Sequence, residues 1–460
     1  MGKQAQKQIK LKKGEVVPIR IRSLGINGEG VGFIQKQVVF VDGAIPGEEL
    51  LVRISEVNRK FAKAKTLKLK KKSAYRIEPA CPVYTTCGGC QLQHIDKRMQ
   101  ARLKREQIEE AFNRYTGLEE LPLEKTIRMS EPWGYRNKAQ LPLVKDKHRV
   151  RMGIYAPQSH DLVEIDDCMV QHPVLNHVLE EARKIVEQLK IPIYDEKKHR
   201  GALRYLVARI SFATEEVQFT FVSRVAKLEQ EEALIHAMRT QLPQVKSIYL
   251  NHNPDETSLV MGENNRILWG EEKLTEKLGD LTYRLSPRAF FQLNPLQTKR
   301  LYEEISHVAA LTGKETVVDA YCGVGTIGLW LAKEAKQVIG MDTVSEAITD
   351  AKENATLNDI TNATFHAGKA ETLLPQWVKD GLQPDLVIAD PPRTGLAQEF
   401  LDTLVQLKLP RFIYVSCNPS TLAKDSKYLL EAGFEVKRIV PLDMFPQTAH
   451  VECVALIELK

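Results

Sequence analysis

Seven cysteines stand in the chain, at 81, 87, 90, 168, 322, 417 and 453, and their contexts sort them by chemistry. Cys417 lies in Ser416-Cys417-Asn418-Pro419, directly after the apolar run RFIYV. An Asn-Pro pair ends a strand, so the thiol is expected on a loop at the strand's carboxyl end, where the sites of open α/β sheets gather. His450-Val451-Glu452 begins the last apolar run and offers a carboxylate. A thiolate with a base nearby suits covalent catalysis on a pyrimidine. Sulfur adds to carbon 6, carbon 5 becomes nucleophilic, and the base later removes the carbon 5 proton so that sulfur can leave. A free thiol has a pKa of about 8.5, so Cys417 needs an activator, and no residue in the sequence declares itself as one. Cys322 and Cys453 lie in turn and strand contexts and read as small apolar residues.

A second set of residues suits a nucleotide-like ligand. Val317 to Thr326, VVDAYCGVGT, is a strand running into a glycine turn and then into the helical stretch IGLWLAKEA. Gly323 and Gly325 let the backbone approach a ligand closely. There is no G-x-G-x-x-G and no Walker lysine, which argues against dinucleotides and nucleoside triphosphates. The next strand ends at Asp342, sixteen residues past Thr326, where an acid can accept from ribose hydroxyls. That arrangement points to S-adenosylmethionine (SAM). Asp390-Pro391-Pro392-Arg393 follows the strand DLVIA. An aromatic fourth residue there would suit methylation of an exocyclic amine, and arginine argues against it. No cysteine stands beside the proline, as an RNA cytosine-5 methyltransferase requires.

Cys81-x5-Cys87-x2-Cys90, followed by Cys168, supplies four thiolates, a set that suits zinc or an iron–sulfur cluster. One C-x2-C pair and two single cysteines fit a zinc ribbon poorly, but spacing alone does not choose between the metals. The spacing differs from that of radical-SAM clusters. An odd cysteine count with no apolar leader in MGKQAQKQIKLKK argues against a disulfide framework and places the chain in the cytoplasm.

Three kinds of element position these residues. Residues 16–66 read as five short strands broken by glycine turns, an OB-type barrel of the kind that binds nucleic acid. Residues 97–117 carry a helical period ending at Gly117, and 126–283 mix strands with a long helix near 173–190. From about 297 onward, strands and helices alternate as in a doubly wound, mainly parallel sheet. The expected fold is multidomain α/β. Charge agrees with a polyanionic partner. Net charge is +6, yet residues 1–13 carry five lysines with no acid, and 53–72 carry nine Lys or Arg against one Glu. No apolar run reaches the roughly 18 residues of a membrane span, and nothing calls for a membrane or a second copy, so a monomer is expected.

DAYCGVGTIGL, FFQLN at 290–294, DPPRTGL, SCNPSTLAKD and HVECVALI together resemble the RNA 5-methyluridine methyltransferase family over essentially the whole chain. CPxxxxCGGC with a later DDC is similar to the members that hold a [4Fe-4S] cluster and modify 23S ribosomal RNA. The resemblance implies a TRAM domain at 8–70, a central iron–sulfur and RNA-binding domain at 75–96 and 126–283, and a catalytic domain at 97–125 and 284–460. It implies Cys417 as nucleophile and Glu452 as proton acceptor. SAM-binding positions would be Gln292, Tyr321, Thr326, Asp342 and Asp390, with Thr326 an asparagine in some members. Cys81, Cys87, Cys90 and Cys168 would hold the cluster. The target uridine must be unpaired or flipped out of its stack. Arg136 and Lys138 in GYRNKAQ, with Phe290, are the expected RNA contacts. The alternatives are a tRNA uridine-C5 methyltransferase and a non-catalytic, metal-stabilised RNA-binding protein.

Overall fold

The computed structural model describes residues 11–118, 120–147 and 149–460. The first ten residues, which hold three of the N-terminal lysines and the start of the expected 8–70 domain, lie outside them. Five alternating strands close a small barrel in the order β1-β2-β3-β5-β4. They are β1 (Val16–Leu24), β2 (Gly30–Ile34), β3 (Gln37–Val41), β4 (Glu49–Val57) and β5 (Phe61–Lys71). Ile19, Ile21, Val39, Val41, Val52 and Ile54 fill its interior. The lysines of β5 lie on the outer face, as its alternating sequence requires.

Irregular chain through the first three cysteines leads to helix α1 (Lys97–Tyr115), capped by the Asp96 carboxylate on the Arg98 amide. Ile108 and Phe112 of α1 enter the core under the C-terminal sheet. A second sheet has the order β12-β11-β10-β9-β6-β7-β8. Its strands are β6 (Lys138–Asp146), β7 (Arg149–Tyr155), β8 (Leu162–Glu164), β9 (Leu203–Ile210), β10 (Val217–Ser223), β11 (Val245–His252) and β12 (Asn264–Gly270). Helices α2 (Pro173–Gln188) and α3 (Glu231–Gln241) contribute apolar residues to its core. A hairpin, β13 (Leu274–Leu278) and β14 (Leu281–Leu285), leads to α4 (Pro295–Ala309).

The C-terminal sheet runs β17-β16-β15-β18-β19-β21-β20. Its strands are β15 (Thr316–Ala320), β16 (Gln337–Asp342), β17 (Ala363–Ala367), β18 (Leu386–Ala389), β19 (Arg411–Ser416), β20 (Phe434–Leu442) and β21 (Glu452–Leu459). All pairings are parallel except those of β21. Helices α5 (Thr326–Leu331), α6 (Ser345–Leu357), α7 (Ala370–Lys379), α8 (Gln398–Gln406) and α9 (Pro419–Glu431) connect or flank the strands. Both faces are covered, so β15, β18 and β19 are apolar almost throughout. No helix among the described residues is long and apolar enough to cross a membrane.

Strands β20 and β21 are joined by the loop Asp443–Val451, which is almost wholly buried. Lys104 of α1, itself fully buried, pairs with Asp443 at the head of this loop and donates to the Phe445 carbonyl. Removing one partner of a buried ion pair strands the other charge at a cost of ~3–5 kcal/mol. Lys104→Ala is therefore expected to lower the midpoint of thermal unfolding well below wild type. Lys104→Met combined with Asp443→Leu, which removes both charges, is expected to recover most of the loss. A scan in which the double variant is no better than the single one contradicts this.

Candidate active site

β15 ends where the chain must turn sharply. Tyr321, Gly323 and Gly325 all have positive φ, at 63°, 55° and 81°. A Cβ on Gly325 would meet the Phe365 ring at 2.9 Å, so that position accepts only glycine. The turn is fixed from two sides. Asp319 accepts from the Gly328 amide at 2.7 Å, tying β15 to α5. Asp342, at the end of β16, accepts from the Gly323 and Val344 amides at 3.0 and 2.8 Å. Thr326 opens α5 and accepts from the Tyr302 hydroxyl at 2.8 Å.

Above this turn lies a cavity of about 960 Å³. Gln292, Tyr321, Gly323, Thr326, Asp342 and Asp390 line it, and so do Cys417, Glu452 and Phe290. Nine of the residues singled out in the sequence thus meet in one space at the carboxyl ends of the strands. Cys417 is half-buried between β19 and α9. Asn418 beside it caps α9 through the Ser420 amide and donates to the Arg393 carbonyl at 2.9 Å. That bond locks the cysteine turn to the Asp-Pro-Pro-Arg turn. Glu452 is the first residue of β21 and is 3% exposed. Phe290 is 66% exposed at the cavity wall, an unusual place for a large aromatic.

The electrostatics are dominated by crowded carboxylates. Burial, then the charges of Glu452 and Asp390, push the Cys417 thiol up to about 11, and Arg393 is the cation that opposes them. Glu452 is held well above the usual carboxylate range by burial and by Asp390, again opposed by Arg393. Burial raises Asp390 to about 7. His450, half-buried on the same wall, is pushed down to about 4 by burial and by the charges of Arg393, Lys104 and Arg136. It is therefore a neutral imidazole at physiological pH. Arg393 is the cation that opposes the raised thiol, and so the candidate for the activator that the sequence reading did not find. Its signal stood in the Asp-Pro-Pro-Arg turn, where arginine served only to argue against an amine target.

Two expected RNA contacts lie elsewhere. Arg136 faces the cysteines, and its Nε is buried without a hydrogen-bond partner. Lys138 begins β6, where burial and the neighbouring Arg209 push its amine down to about 6.

Cys81, Cys87, Cys90 and Cys168 line one small cavity of about 40 Å³. The Gly89 amide donates to Cys87 Sγ at 3.3 Å. Burial raises the proton affinity of Cys168 and Cys90, opposed at Cys168 by the Val170 and Gln171 amides and at Cys90 by the Gln93 side chain. Among the described residues no three His, Cys, Asp or Glu side chains are grouped closely enough to hold a metal ion. The structure thus shows four convergent thiols and not a coordination sphere.

An open sheet with one antiparallel strand inserted near its edge, a glycine turn after the first strand and an acid ending the second define a SAM-dependent methyltransferase. Residues 96–460 match the tRNA (uracil-5-)-methyltransferase family and residues 10–67 match the TRAM domain. The chain belongs to that family and is a SAM-dependent RNA uracil-5-methyltransferase. It is 50% identical over 459 residues to an RNA methyltransferase of Halalkalibacterium halodurans, covering 99% of each chain. It is 46% identical over 451 residues to one of Listeria innocua, covering 97% of this chain and 98% of the relative. Among solved structures it is similar to the Pyrococcus abyssi tRNA (uracil-54, C5)-methyltransferase in complex with S-adenosyl-L-homocysteine. The TM-score is 0.78 at 30% identity, over 96% of this chain and 99% of that one.

Only a thiolate is alkylated, and the Cys417 thiol is raised. Its reaction with iodoacetamide is therefore expected to accelerate with pH through the neutral and mildly alkaline range. Arg393→Gln removes the opposing cation, so alkylation of the Cys417 peptide is expected to slow at each such pH, and Arg393→Lys to retain most of the rate. Equal rates in wild type and Arg393→Gln, followed by peptide mass spectrometry, would exclude Arg393 as the activator.

Proposed function

We propose that this enzyme methylates carbon 5 of a uridine in 23S ribosomal RNA, with Cys417 as nucleophile and Glu452 as base. The observation that carries the reading is the single cavity shared by Cys417, Glu452 and the glycine turn. Gln292, Tyr321, Gly323, Thr326, Asp342 and Asp390 would hold SAM, which supplies an electrophilic methyl group when bound. The exposed Phe290 offers a face on which a flipped base can stack.

The residues then act in order. The Cys417 thiolate, favoured by Arg393 and by the amino end of α9, bonds to carbon 6 of the uracil. The displaced electron pair moves onto the carbon 4 oxygen as an enolate. It returns through carbon 5, which takes the methyl group. Glu452 removes the proton from carbon 5, and the carbon 6–sulfur bond breaks to return the thiolate. Arg393 holds Glu452 toward the carboxylate form that this step needs. In this reading the enzyme works as a monomer on RNA in the cytoplasm, where an odd number of cysteines stays reduced.

We read the chain as three units: 8–70, 75–96 with 126–283, and 97–125 with 284–460. The burial of Ile108 and Phe112 in the C-terminal core supports the last division. In this reading the four convergent cysteines hold a [4Fe-4S] cluster. The convergence of the four sulfurs on one small cavity supports this reading, and because burial raises the proton affinity of Cys87, Cys90 and Cys168, a metal is what would hold them as thiolates. With four protein ligands no iron is open to chemistry, so its part is structural. Protein purified without air is expected to be brown and to contain iron and acid-labile sulfide. A colourless protein with one equivalent of zinc contradicts the cluster.

The reading of ribosomal RNA rests on the resemblance of the cysteine segment, CPxxxxCGGC with a later DDC, to the members that modify 23S RNA. The Pyrococcus abyssi neighbour, a tRNA enzyme by name, supports tRNA as the second reading. Mapping 5-methyluridine in a deletion strain decides between them: loss from 23S RNA supports the proposal, and loss from tRNA alone overturns it. In vitro, Cys417→Ala is expected to abolish both turnover and any denaturation-resistant RNA adduct. Glu452→Gln is expected to methylate once and remain bonded to the RNA. Full turnover by either variant overturns the assigned roles.

A further inference from the structure

Glu452 is reached through the loop Asp443–Val451, and the strained point of that loop is Gln447, with φ of 70°. Gln447 is 5% exposed, and its polar groups are taken up from the other end of the chain. Its carbonyl accepts from the Gln91 and Leu92 amides at 3.0 and 2.9 Å. Its side-chain oxygen accepts from Gln100 Nε2 at 3.0 Å, and its amide donates to Gln100 Oε1 at 3.2 Å. Two residues further on, the Ala449 amide donates to Gln91 Oε1 at 3.3 Å. Gln91 also donates from Nε2 to the Gly88 carbonyl, between Cys87 and Cys90, at 2.7 Å.

One side chain therefore bridges the cysteine turn to the backbone immediately before His450 and Glu452. We propose that Gln91 and Gln100 are positioning residues for the proton-removal step, holding Glu452 through Gln447 and Ala449, and that this bridge makes the cysteine segment the mount of the catalytic base. The inference rests on the reading of Glu452 as that base. Cys417 is mounted separately, by Asn418 on the Asp-Pro-Pro-Arg turn. Loosening the glutamine clamp leaves the nucleophile in place and displaces the base. The reaction then adds sulfur and transfers methyl but stalls before elimination. General damage to the fold leaves no such mark, because it loses addition and SAM binding together.

The test uses the full chain, SAM, and transcripts of both 23S ribosomal RNA and tRNA. Misplacement of a catalytic group by about 1 Å costs on the order of a hundredfold, and turnover of Gln91→Ala and Gln100→Ala is expected to fall on that scale. Denaturing gels are expected to show protein–RNA adduct rising toward the level of Glu452→Gln, with the affinity for SAM unchanged. Hydrogen exchange of the 443–451 amides is expected to quicken in both variants. Gln91→Glu keeps the oxygen that receives the Ala449 amide but sets a second oxygen against the Gly88 carbonyl, so it breaks the bridge and is expected to accumulate adduct as Gln91→Ala does. The clamp is overturned if turnover falls with SAM binding and without adduct, or if turnover stays normal while the loop exchanges faster. Glu452→Gln separates the two readings. No adduct there overturns the base assignment, and adduct there but not in the two glutamine variants overturns the clamp.

Discussion

An irregular loop can be buried only if its backbone N–H and C=O groups find partners away from water. Asp443–Val451 meets that condition by drawing donors from across the molecule. Asn294 and Gln297 at the head of α4 donate to the Met444 and Asp443 carbonyls at 2.8 and 3.0 Å. The Tyr135 hydroxyl donates to the Pro446 carbonyl at 2.9 Å. Lys104 and the two glutamines take the rest of the load described above. Behind them Leu24 and Ile45 of the barrel, Leu92, Ile95, Met99, Leu103 and Ala449 form a small apolar cluster of their own. The barrel approaches through Gly28, where a Cβ would come within 2.8 Å of Gln91 and 3.3 Å of Ala449. Barrel, cysteine segment, α1, α4 and the C-terminal sheet are thus joined at the loop that carries His450 and leads to Glu452.

The cavity concentrates acids where a thiolate has to form. Burial raises the proton affinity of Cys417, Glu452 and Asp390, the charge of Asp390 adds to it at Glu452, and both carboxylates add to it at Cys417. This is unfavourable for a resting thiolate and favourable for a site whose ligand brings positive charge. A sulfonium in the cavity acts in the same direction as Arg393, so thiolate and carboxylate are best stabilised when the methyl donor is already there. His450, kept neutral, adds a polar wall without a competing charge.

Much of the site was legible in the sequence because it rests on local patterns. The glycine turn, the acid ending the next strand and the strand-breaking Asn-Pro after Cys417 each express a backbone requirement within a few residues. The hairpin β13–β14 was legible too, in Gly279-Asp280 between two alternating runs, but was passed over inside a mixed segment. Other features have no local signature. Nothing near Lys104 announces Asp443, and nothing near Gln91 announces Ala449, because those pairs are made by the fold. The four cysteines lay between these cases. Their types and spacing implied convergence, while the choice of metal is not written in spacing. Lys138, a basic residue in the motif GYRNKAQ, is placed by β6 away from the wall of the large cavity, a placement the motif alone does not announce.

The Gln100–Gln447 and Gln91–Ala449 contacts join residues 347 and 358 positions apart. Closures that long come late in folding, because their entropy must be met before the contacts that reward it exist. The barrel, the central sheet and most of the C-terminal sheet have closer partners and can form earlier. Cys417 and Glu452 need no such closure, because Ser416 faces Cys453 across β19 and β21; what the long contacts add is the anchoring of the loop that leads into β21, so the last step of assembly seals the two ends of the chain to each other.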